Sequence, residues 1–365
     1  MAKIRTSPDV WILISTLLIM TVGVIMVYSA SAVLAFHDFG DSYYYLKRQL
    51  IFAVLGIAAM FITMNLDYRI WKKFAKVALI LCFVLLVLVL IPGVGVVRGG
   101  ARSWLGIASL GIQPSEFMKL GMIMFMAKVL SEQDSRITSF RKGLLPMLLL
   151  LASAFGLIMM QPDLGTGAVL LGATMMIIFS AGARISHLVG LAGLGVVGFA
   201  GLIAAAPYRL NRILYFLDPW KDPLGGGYQI IQSLYAIGPG GLVGLGLGMS
   251  RQKYSYLPEP QTDFIFSIIA EELGFIGGAT VLLLFLILVW RGMRTAITAP
   301  DTFGSLLAVG IVGMIGVQVV INIGVVTGMM PVTGITLPLV SAGGSSLTLM
   351  LTAIGILLNI SRYAK

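Results

Sequence analysis

One acidic residue stands where the sequence changes from a polar loop to a long apolar run. Asp263 lies within Thr262-Asp263-Phe264-Ile265, at the predicted mouth of a membrane-spanning helix. A carboxylate at this boundary is partly desolvated, which raises its pKa towards that of a useful general base. Alternatively Asp263, with Thr262 beside it, caps the helix, and the helix dipole then lowers that pKa. The residues alone leave these two interpretations open.

Two arginines in a glycine-containing segment could hold a phosphate. Arg98 and Arg102 flank a Gly-Gly pair, and Trp104 follows at the expected level of the membrane interface. Guanidinium groups match the geometry of phosphate oxygens, so the pair could clamp a diphosphate. Arginines that merely reach towards lipid headgroups would give the same pattern. Both interpretations stay open on this evidence.

Further acidic residues are expected to support the site and not to react. Glu271 and Glu272 lie about two turns deeper along the same helix, and we expect a buried pair with Lys119 or Arg102. Glu116 and Lys119 are three residues apart on one predicted helix face, a spacing typical of an internal ion pair.

A tight outer turn and an irregular hairpin complete the candidate site. Asp163 follows Gln161-Pro162 and is expected to cap the next helix. The Pro- and Gly-rich segment 331–346, which ends in Ser345 and Ser346, interrupts an apolar stretch. Irregular backbone at membrane depth is tolerated only where it lines a cavity. We therefore predict that this hairpin forms one wall of that cavity.

These residues are carried by a chain that must be solvated by lipid. Of its 365 residues, 58% are hydrophobic and only 11% are charged, whereas about 25% are charged in soluble domains. Apolar stretches of spanning length predict an all-α integral membrane protein, a single polytopic domain over residues 1–365 with ten transmembrane helices. The stretches lie near 10–35, 49–66, 77–95, 114–130, 143–160, 164–182, 188–206 and 273–290, with two more within 302–361.

The lysines and arginines orient the predicted helices. With both termini in the cytoplasm, most of the basic residues fall on the cytoplasmic side, as the positive-inside rule requires. A long extracytoplasmic loop, about 207–262, then joins helices seven and eight, and Gln229 to Ile237 within it reads as an amphipathic surface helix. The basic residues Arg209, Arg212 and Lys253 in this loop indicate an anionic partner or pairing with the loop's own acids.

Several kinds of chemistry are excluded by composition. The two histidines, His37 and His187, are predicted on opposite faces of the membrane, so neither a Ser-His-Asp triad nor a histidine-rich metal site is available. The single cysteine, Cys82, rules out a disulfide framework. The net charge of +10 is scattered between apolar runs, which argues against a nucleic-acid surface.

Four motifs, in order along the chain, resemble those of the SEDS family (shape, elongation, division and sporulation) of peptidoglycan glycosyltransferases. The likeness extends over essentially the whole chain and is strongest towards members that act in sporulation. Its motifs are Gln113-Pro114-Ser115-Glu116 with Lys119, Gln161-Pro162-Asp163-Leu164-Gly165-Thr166, Thr262-Asp263-Phe264-Ile265 with Glu271-Glu272-Leu273-Gly274, and Asn322-Ile323-Gly324 through Pro331-Val332-Thr333-Gly334 to Gly343-Gly344-Ser345-Ser346.

The resemblance implies an inverting enzyme that polymerises lipid II at the outer face of the cytoplasmic membrane, with Asp263 as the catalytic carboxylate, and points to spore cortex synthesis. A lipid II flippase and a non-catalytic scaffold are the alternative functions. Many relatives have a histidine where this chain has Gln261, and an aromatic residue where it has Ala342. The residues expected to bind substrate or its diphosphate are Arg98, Arg102, Lys119, Arg209, Arg212, Lys253, Thr262, Ser345 and Ser346.

The resemblance also implies two kinds of partner. A divalent cation, Mg²⁺ or Mn²⁺, could assist at the diphosphate, with Asp263 as a possible ligand, and no organic cofactor is expected. The protein partner is a class B penicillin-binding transpeptidase with a single span. We expect its span to lie near helices eight and nine, where Gly274, Gly277, Gly278 and Ala279 would allow close approach.

Overall fold

The computed structural model describes residues 6–98, 101–106, 111–132, 137–204 and 214–364, and helices dominate it. A short π-helical turn, Phe140–Leu144, leads into the fifth helix, and one two-stranded sheet lies between the third and fourth. The elements are α1 Val10–Phe39, α2 Tyr44–Asn65, α3 Arg69–Leu90, β1 Val96–Arg98, β2 Ala101–Trp104, α4 Pro114–Glu132, α5 Leu145–Met159, α6 Leu164–Ser180, α7 Ile185–Ala204, α8 Tyr228–Ile237, α9 Ile265–Ile297, α10 Thr302–Val326 and α11 Gly344–Ser361.

Seven helices within the described residues are long and apolar enough to cross a membrane: α1, α2, α3, the π turn with α5, α9, α10 and α11. Three further helices coincide with the other predicted spans. Of these, α6 and the described part of α7 are shorter apolar helices, and α4 carries Glu116, Lys119, Lys128 and Glu132. The multi-pass helical fold is therefore confirmed, while the count of ten spans and their orientation stay predictions.

Short polar caps set several helix ends. Asp9 accepts hydrogen bonds from the first backbone amides of α1, and Gly40, with φ of 70°, ends that helix in the left-handed conformation that glycine favours. Asp301 caps α10 by accepting from the amide of Gly304. Arg291 of α9 also binds the Asp9 carboxylate, with Nε 2.9 Å from Oδ2. At the predicted cytoplasmic side, these contacts join α1 to α9 and set the start of α10.

The centre of the bundle is formed by α10 and α11. Their most apolar windows are 72% and 78% buried, against 28% for α2 and α3. The helix α10 packs against α4, α6 and α9, and α11 packs against α2, while α3 covers α4 and α1 covers α9. Helices that are apolar all round belong in such a centre, because both faces then meet protein. The candidate site lies at one end of this central pair.

The helix α9 is broken near its N-terminal end by the loop that precedes it. At Gly274 the backbone adopts φ 66° and ψ −164°. The amides of Leu245 and Gly246 donate to the carbonyls of Glu271 and Glu272 at 2.9 and 3.0 Å. A β-carbon at Gly274 would clash with the loop backbone, so glycine is required both for space and for the positive φ. The glycine-rich segment 238–248 is thus inserted into the break.

Two smaller elements shape the predicted outer face. The amphipathic helix predicted from Gln229 to Ile237 is present as α8, and its Ser233 hydroxyl binds Ser267 of α9 at 2.8 Å and the carbonyl of Val326 at 2.6 Å. The antiparallel hairpin β1–β2, with Arg98 opposite Ala101, was not predicted. Its strands are only three and four residues long, too short for a period-two pattern to be read.

Candidate functional site

Asp263 lies in the turn just before α9 and does not cap that helix. The N-cap position belongs to Phe264, and no side chain makes a capping hydrogen bond there. Thr262 is turned towards the preceding loop instead, where its hydroxyl donates to the carbonyl and the carboxylate of Glu259, each at 3.2 Å. The capping interpretations of Asp263 and Thr262 are therefore wrong, and the Asp263 carboxylate has no structural task at the helix end.

The backbone around Asp263 is held by α10 and by the hairpin. The amide of Asn322 donates to the carbonyl of Asp263 at 2.8 Å and to that of Ile335 at 2.7 Å. The Ser341 hydroxyl donates to the carbonyl of Thr262 at 2.6 Å. A buried, hydrogen-bonded backbone of this kind fixes where the carboxylate can reach. The predicted role of segment 331–346 as a wall of the site is consistent with these contacts.

The Asp263 carboxylate is poised to take up a proton near neutral pH. Burial raises the pKa of Asp263 to about 7, and the negative charges of Glu259 and Asp163 add to the rise. Within the part of the chain that the structure describes, no donor or cation binds this carboxylate. A β-carbon built onto Gly334 would lie 3.7 Å from its Oδ2 atom, so the hairpin closes one side of it. A carboxylate with this pKa is suited to general base catalysis.

Three buried polar atoms beside this turn also lack partners among the described residues. They are Oε1 of Gln261, Oδ1 of Asn322 and Oγ1 of Thr333. Buried polar atoms are almost always paired, so unpaired atoms on the segments that adjoin Asp263 indicate a place where a polar ligand or water binds. The sequence analysis included Asn322 only within the fourth motif and gave it no role in the site, although an amide inside an apolar run is a signal of functional polarity.

Asp163 caps α6, as the sequence predicted. Its Oδ1 accepts from the amide of Thr166 at 3.0 Å. Its Oδ2 accepts from Gln113 at 2.9 Å and from Ser115 at 3.3 Å. Two of the sequence motifs therefore meet at this side chain. Asp163 holds the start of α4 against α6 and contributes negative charge towards Asp263.

Glu116 and Lys119 form the predicted internal ion pair on α4. Lys119 Nζ lies 2.6 Å from Glu116 Oε1, and the lysine side chain is fully buried. It also donates to Gln318 at 3.2 Å, while Ser346 donates to the other glutamate oxygen at 2.8 Å. Ser345 beside it is buried. In this arrangement Lys119 and Ser346 are engaged with protein groups, and their predicted role in binding a diphosphate stays a prediction.

Glu271 and Glu272 are buried and paired, but with a different partner from the predicted one. The cation is Lys253, whose Nζ lies 3.0 Å from Glu272 Oε1, and its side chain is only 6% exposed. Ser29 donates to both oxygens of Glu272, at 2.8 and 2.7 Å, and Ser250 donates to Glu271 at 2.5 Å. The prediction of Lys119 or Arg102 as partner is therefore wrong, while the predicted role of Lys253 as a diphosphate ligand stays a prediction.

The arginines remain as candidates for the diphosphate. Arg98 and Arg102 lie on adjoining strands of the hairpin β1–β2, and Arg102 is partly exposed. Arg209 and Arg212 lie outside the described residues. Within the described ranges, no group of three or more His, Cys, Asp or Glu side chains could hold a metal ion. Asp263 could offer one carboxylate, which suffices for Mg²⁺ only when substrate phosphates supply further ligands.

Comparison with known proteins agrees with the motifs. A family model covering FtsW, RodA and SpoVE, described as cell cycle protein, matches residues 9–365. The chain belongs to the FtsW/RodA/SpoVE family. This is the SEDS group that the motifs predicted, so that expectation is confirmed.

Two relatives in the FtsW/RodA/SpoVE family show how far the similarity extends. The chain is 62% identical over 361 residues to the stage V sporulation protein E of Bacillus subtilis strain 168, with 99% of each protein covered. It is 44% identical over 357 residues to a probable peptidoglycan glycosyltransferase FtsW of Geobacter metallireducens, with 98% of this chain and 95% of that protein covered.

Solved structures of the FtsW/RodA/SpoVE family share the fold. The rod shape determining protein RodA of Thermus thermophilus superposes with a TM-score of 0.71 at 31% identity, covering 97% of each chain. A chain of a peptidoglycan synthase complex that coordinates polymerization and crosslinking superposes with a TM-score of 0.80 at 34% identity, covering 97% of this chain and 98% of that one.

Proposed function

We propose that this protein is a peptidoglycan glycosyltransferase that polymerises lipid II, with Asp263 as its general base. The observation that carries the proposal is a carboxylate with a pKa of about 7 that no described residue engages. Gln261, Asn322 and Thr333, which lie on the turn of Asp263 and on the two segments that contact it, each have an unpaired buried polar atom. The relative from Geobacter metallireducens, matched over 98% of this chain and 95% of its own length, is named a probable peptidoglycan glycosyltransferase, which supports the reaction class.

The reaction needs one proton transfer and one bond exchange. The acceptor lipid II presents a sugar 4-hydroxyl, and Asp263 takes its proton as the oxygen attacks the anomeric carbon of the lipid-linked strand. The bond from that carbon to the lipid diphosphate breaks, and the diphosphate leaves with the electron pair. Attack from the face opposite the leaving group inverts the anomeric configuration. The carboxyl formed on Asp263 then loses its proton to solvent.

The leaving diphosphate requires positive charge beside it. Because Lys119 and Lys253 are buried in ion pairs, we assign this task to Arg98, Arg102, Arg209 and Arg212. A divalent cation, Mg²⁺ or Mn²⁺, would neutralise the same diphosphate when bound. Asp263 is the candidate protein ligand that we propose for it.

The function is tested with purified protein and lipid II as the only substrate. We expect glycan chains of many disaccharide units to appear on denaturing gels. A protein that is folded yet forms no polymer, but moves labelled lipid II across vesicles, would be a flippase. A protein that does neither and only recruits a synthase would be a scaffold.

We propose that the site faces the outside of the cytoplasmic membrane. The bias of Lys and Arg towards the opposite face supports this orientation. A small tag inserted at Ser255, an exposed residue of the long loop, should be labelled in intact protoplasts, and one at Arg136 should not. The reverse labelling pattern would contradict both the orientation and an extracytoplasmic site.

We propose a class B penicillin-binding transpeptidase as partner and the spore cortex as the product's destination. The structural similarity to a complex that coordinates polymerization and crosslinking supports the partner, and the sporulation relative supports the destination. The role in the spore cortex is tested by measuring the cortex content of spores from a strain that lacks the gene, which we expect to be reduced. If cortex content is unchanged, the spore assignment fails.

We place the partner's membrane span against the part of α9 that follows the break at Gly274. Thr280 is exposed there, whereas Gly277 is a poor probe because a β-carbon on it would clash with Leu273. The substitution Thr280→Leu should weaken co-purification with the transpeptidase, since small residues allow close helix approach. The matched control is Ser153→Leu, at an exposed position of α5. Equal co-purification of both variants would remove α9 from the interface.

A further inference from the structure

A cavity on the face opposite the proposed active site is lined by an excess of positive charge. It has a volume of about 580 Å³ and lies between the first turns of α3 and α10 and the last turns of α4. The predicted orientation places it at the cytoplasmic surface of the membrane. Its charged lining consists of Arg69, Lys72, Lys73, Lys128, Glu132 and Asp301.

The two acids of this cavity are already occupied. Glu132 Oε1 lies 3.2 Å from the ammonium of Lys72. The Asp301 carboxylate accepts from the hydroxyl of Tyr68 at 2.5 Å, and its Oδ2 lies 3.5 Å from Nε of Arg69. These contacts consume the negative charge of the cavity, so neither acid is free to neutralise a further cation.

Two cations are therefore left in surplus. Lys73 and Lys128 form no ion pair with any residue that the structure describes. The neighbouring residues 133–136 lie outside the described ranges, and their formal charges, one acid in Asp134 and one base in Arg136, cancel. Asp67, just outside the lining, pairs with Arg69 at 3.5 Å, so the cavity retains two lysine charges, those of Lys73 and Lys128, that no described acid neutralises and that can attract an anion.

The surroundings of the cavity indicate that this anion is attached to a lipid. Val77 lies one helical turn after Lys73 on the same face of α3 and is 64% exposed, and Phe74 is 58% exposed. In a chain that spans the membrane, such apolar side chains face acyl chains. Anionic phospholipids are concentrated at the cytoplasmic surface, and basic pockets between helices on that side bind their headgroups.

We propose that this cavity binds the headgroup of an anionic phospholipid of the inner leaflet. The two phosphates of cardiolipin match the two surplus lysines in charge, and the acyl chains extend along the exposed face of α3. The bound lipid joins α3, α4 and α10 at the membrane surface. This site is separate from Asp263 and does not depend on the polymerase function.

The proposal is tested by native mass spectrometry of the full-length protein with added cardiolipin. The double substitution Lys73→Gln with Lys128→Gln should weaken cardiolipin binding about 30-fold, since each cation near an anionic headgroup contributes roughly a fivefold change in affinity. The matched control is Lys76→Gln with Lys142→Gln, which removes the same charge from exposed positions outside the cavity. The control should bind cardiolipin nearly as the unmodified protein does, and phosphatidylcholine should bind to neither.

Two results would overturn the proposal. If the variant Lys73→Gln with Lys128→Gln binds cardiolipin as tightly as the control variant does, the cavity is not the binding site. Displacement of cardiolipin by millimolar inorganic phosphate would show a site for soluble anions. Thermal unfolding in lipid-free detergent checks that both variants fold, and the single substitution Lys73→Gln, at an exposed position, should still weaken binding about fivefold if the double variant is unstable.

Discussion

Replacement of Asp263 by asparagine is expected to reduce lipid II polymerisation by about a hundredfold or more while leaving the protein folded. The amide has nearly the shape of the carboxylate but cannot accept the sugar proton. No described residue donates to the Asp263 side chain, so the substitution removes no structural contact. The measurement is the initial rate of polymerisation by purified protein, with thermal unfolding of the same samples as the control for folding.

The pH dependence of the polymerisation rate gives a second test of Asp263 as the general base. The folded pKa of about 7 lies above the ordinary value of 3.8. The base must be deprotonated to act, so the rate should rise with pH and level off above about 7. The folding stability changes with pH in the opposite direction. The Asp263 carboxyl binds its proton more tightly in the folded state than in the unfolded state, so the protein loses stability as pH rises from about 4 to 7. Asp263→Asn should therefore be at least as stable at pH 8 as the unmodified protein, and polymerisation by it near the normal rate would refute the assignment.

Replacement of Lys253 by methionine is expected to destabilise the protein by about 3–5 kcal/mol, because it leaves buried carboxylates without their cation. Glu272 would keep only the hydroxyl of Ser29 and the amides of Gly248 and Ser250 as donors. The loop that these groups hold against α9 should then detach. The measurement is the denaturation midpoint in detergent, followed by intrinsic fluorescence.

The matched control for Lys253 lies in the same loop. Lys221 pairs with Asp218 at 3.6 Å, but both side chains are well exposed, so Lys221→Met should change stability by less than about 1 kcal/mol. Normal stability of Lys253→Met together with loss of polymerisation would instead support the predicted role of Lys253 at the diphosphate.

The sequence was sufficient for those parts of the fold that depend on local pattern. Apolar runs located the helices of the bundle, because the bilayer requires both their length and their composition, but the stretches predicted at 77–95 and 273–290 began eight residues after the helices Arg69–Leu90 and Ile265–Ile297. The cap at Asp163 and the pair of Glu116 with Lys119 also follow from short spacings. Asp263 was found from its position at the end of a polar loop, although its pKa could be assigned a direction only once its surroundings were known.

The remaining features depend on contacts between distant parts of the chain. Lys253 lies 19 residues before Glu272, in a loop whose path no periodic pattern describes, so nothing in the sequence favoured it over Lys119. The break at Gly274 has the same origin. An apolar run through Gly274 reads as one helix, and only the docking of segment 238–248 makes a break there favourable. Local propensity cannot report a geometry that a remote segment imposes.

The break in α9 also has a mechanical meaning. In an unbroken helix, a twist or tilt passes from turn to turn through the backbone hydrogen bonds. At Gly274 the backbone groups of Glu271, Glu272, Phe275 and Ile276 bond to the loop, so the two parts of α9 are joined through that loop. A force on the part of α9 after Gly274 therefore reaches the turn of Asp263 largely through the glycine-rich segment. Displacement of this segment would act on both parts of the helix at once, so the segment can control the position of the carboxylate.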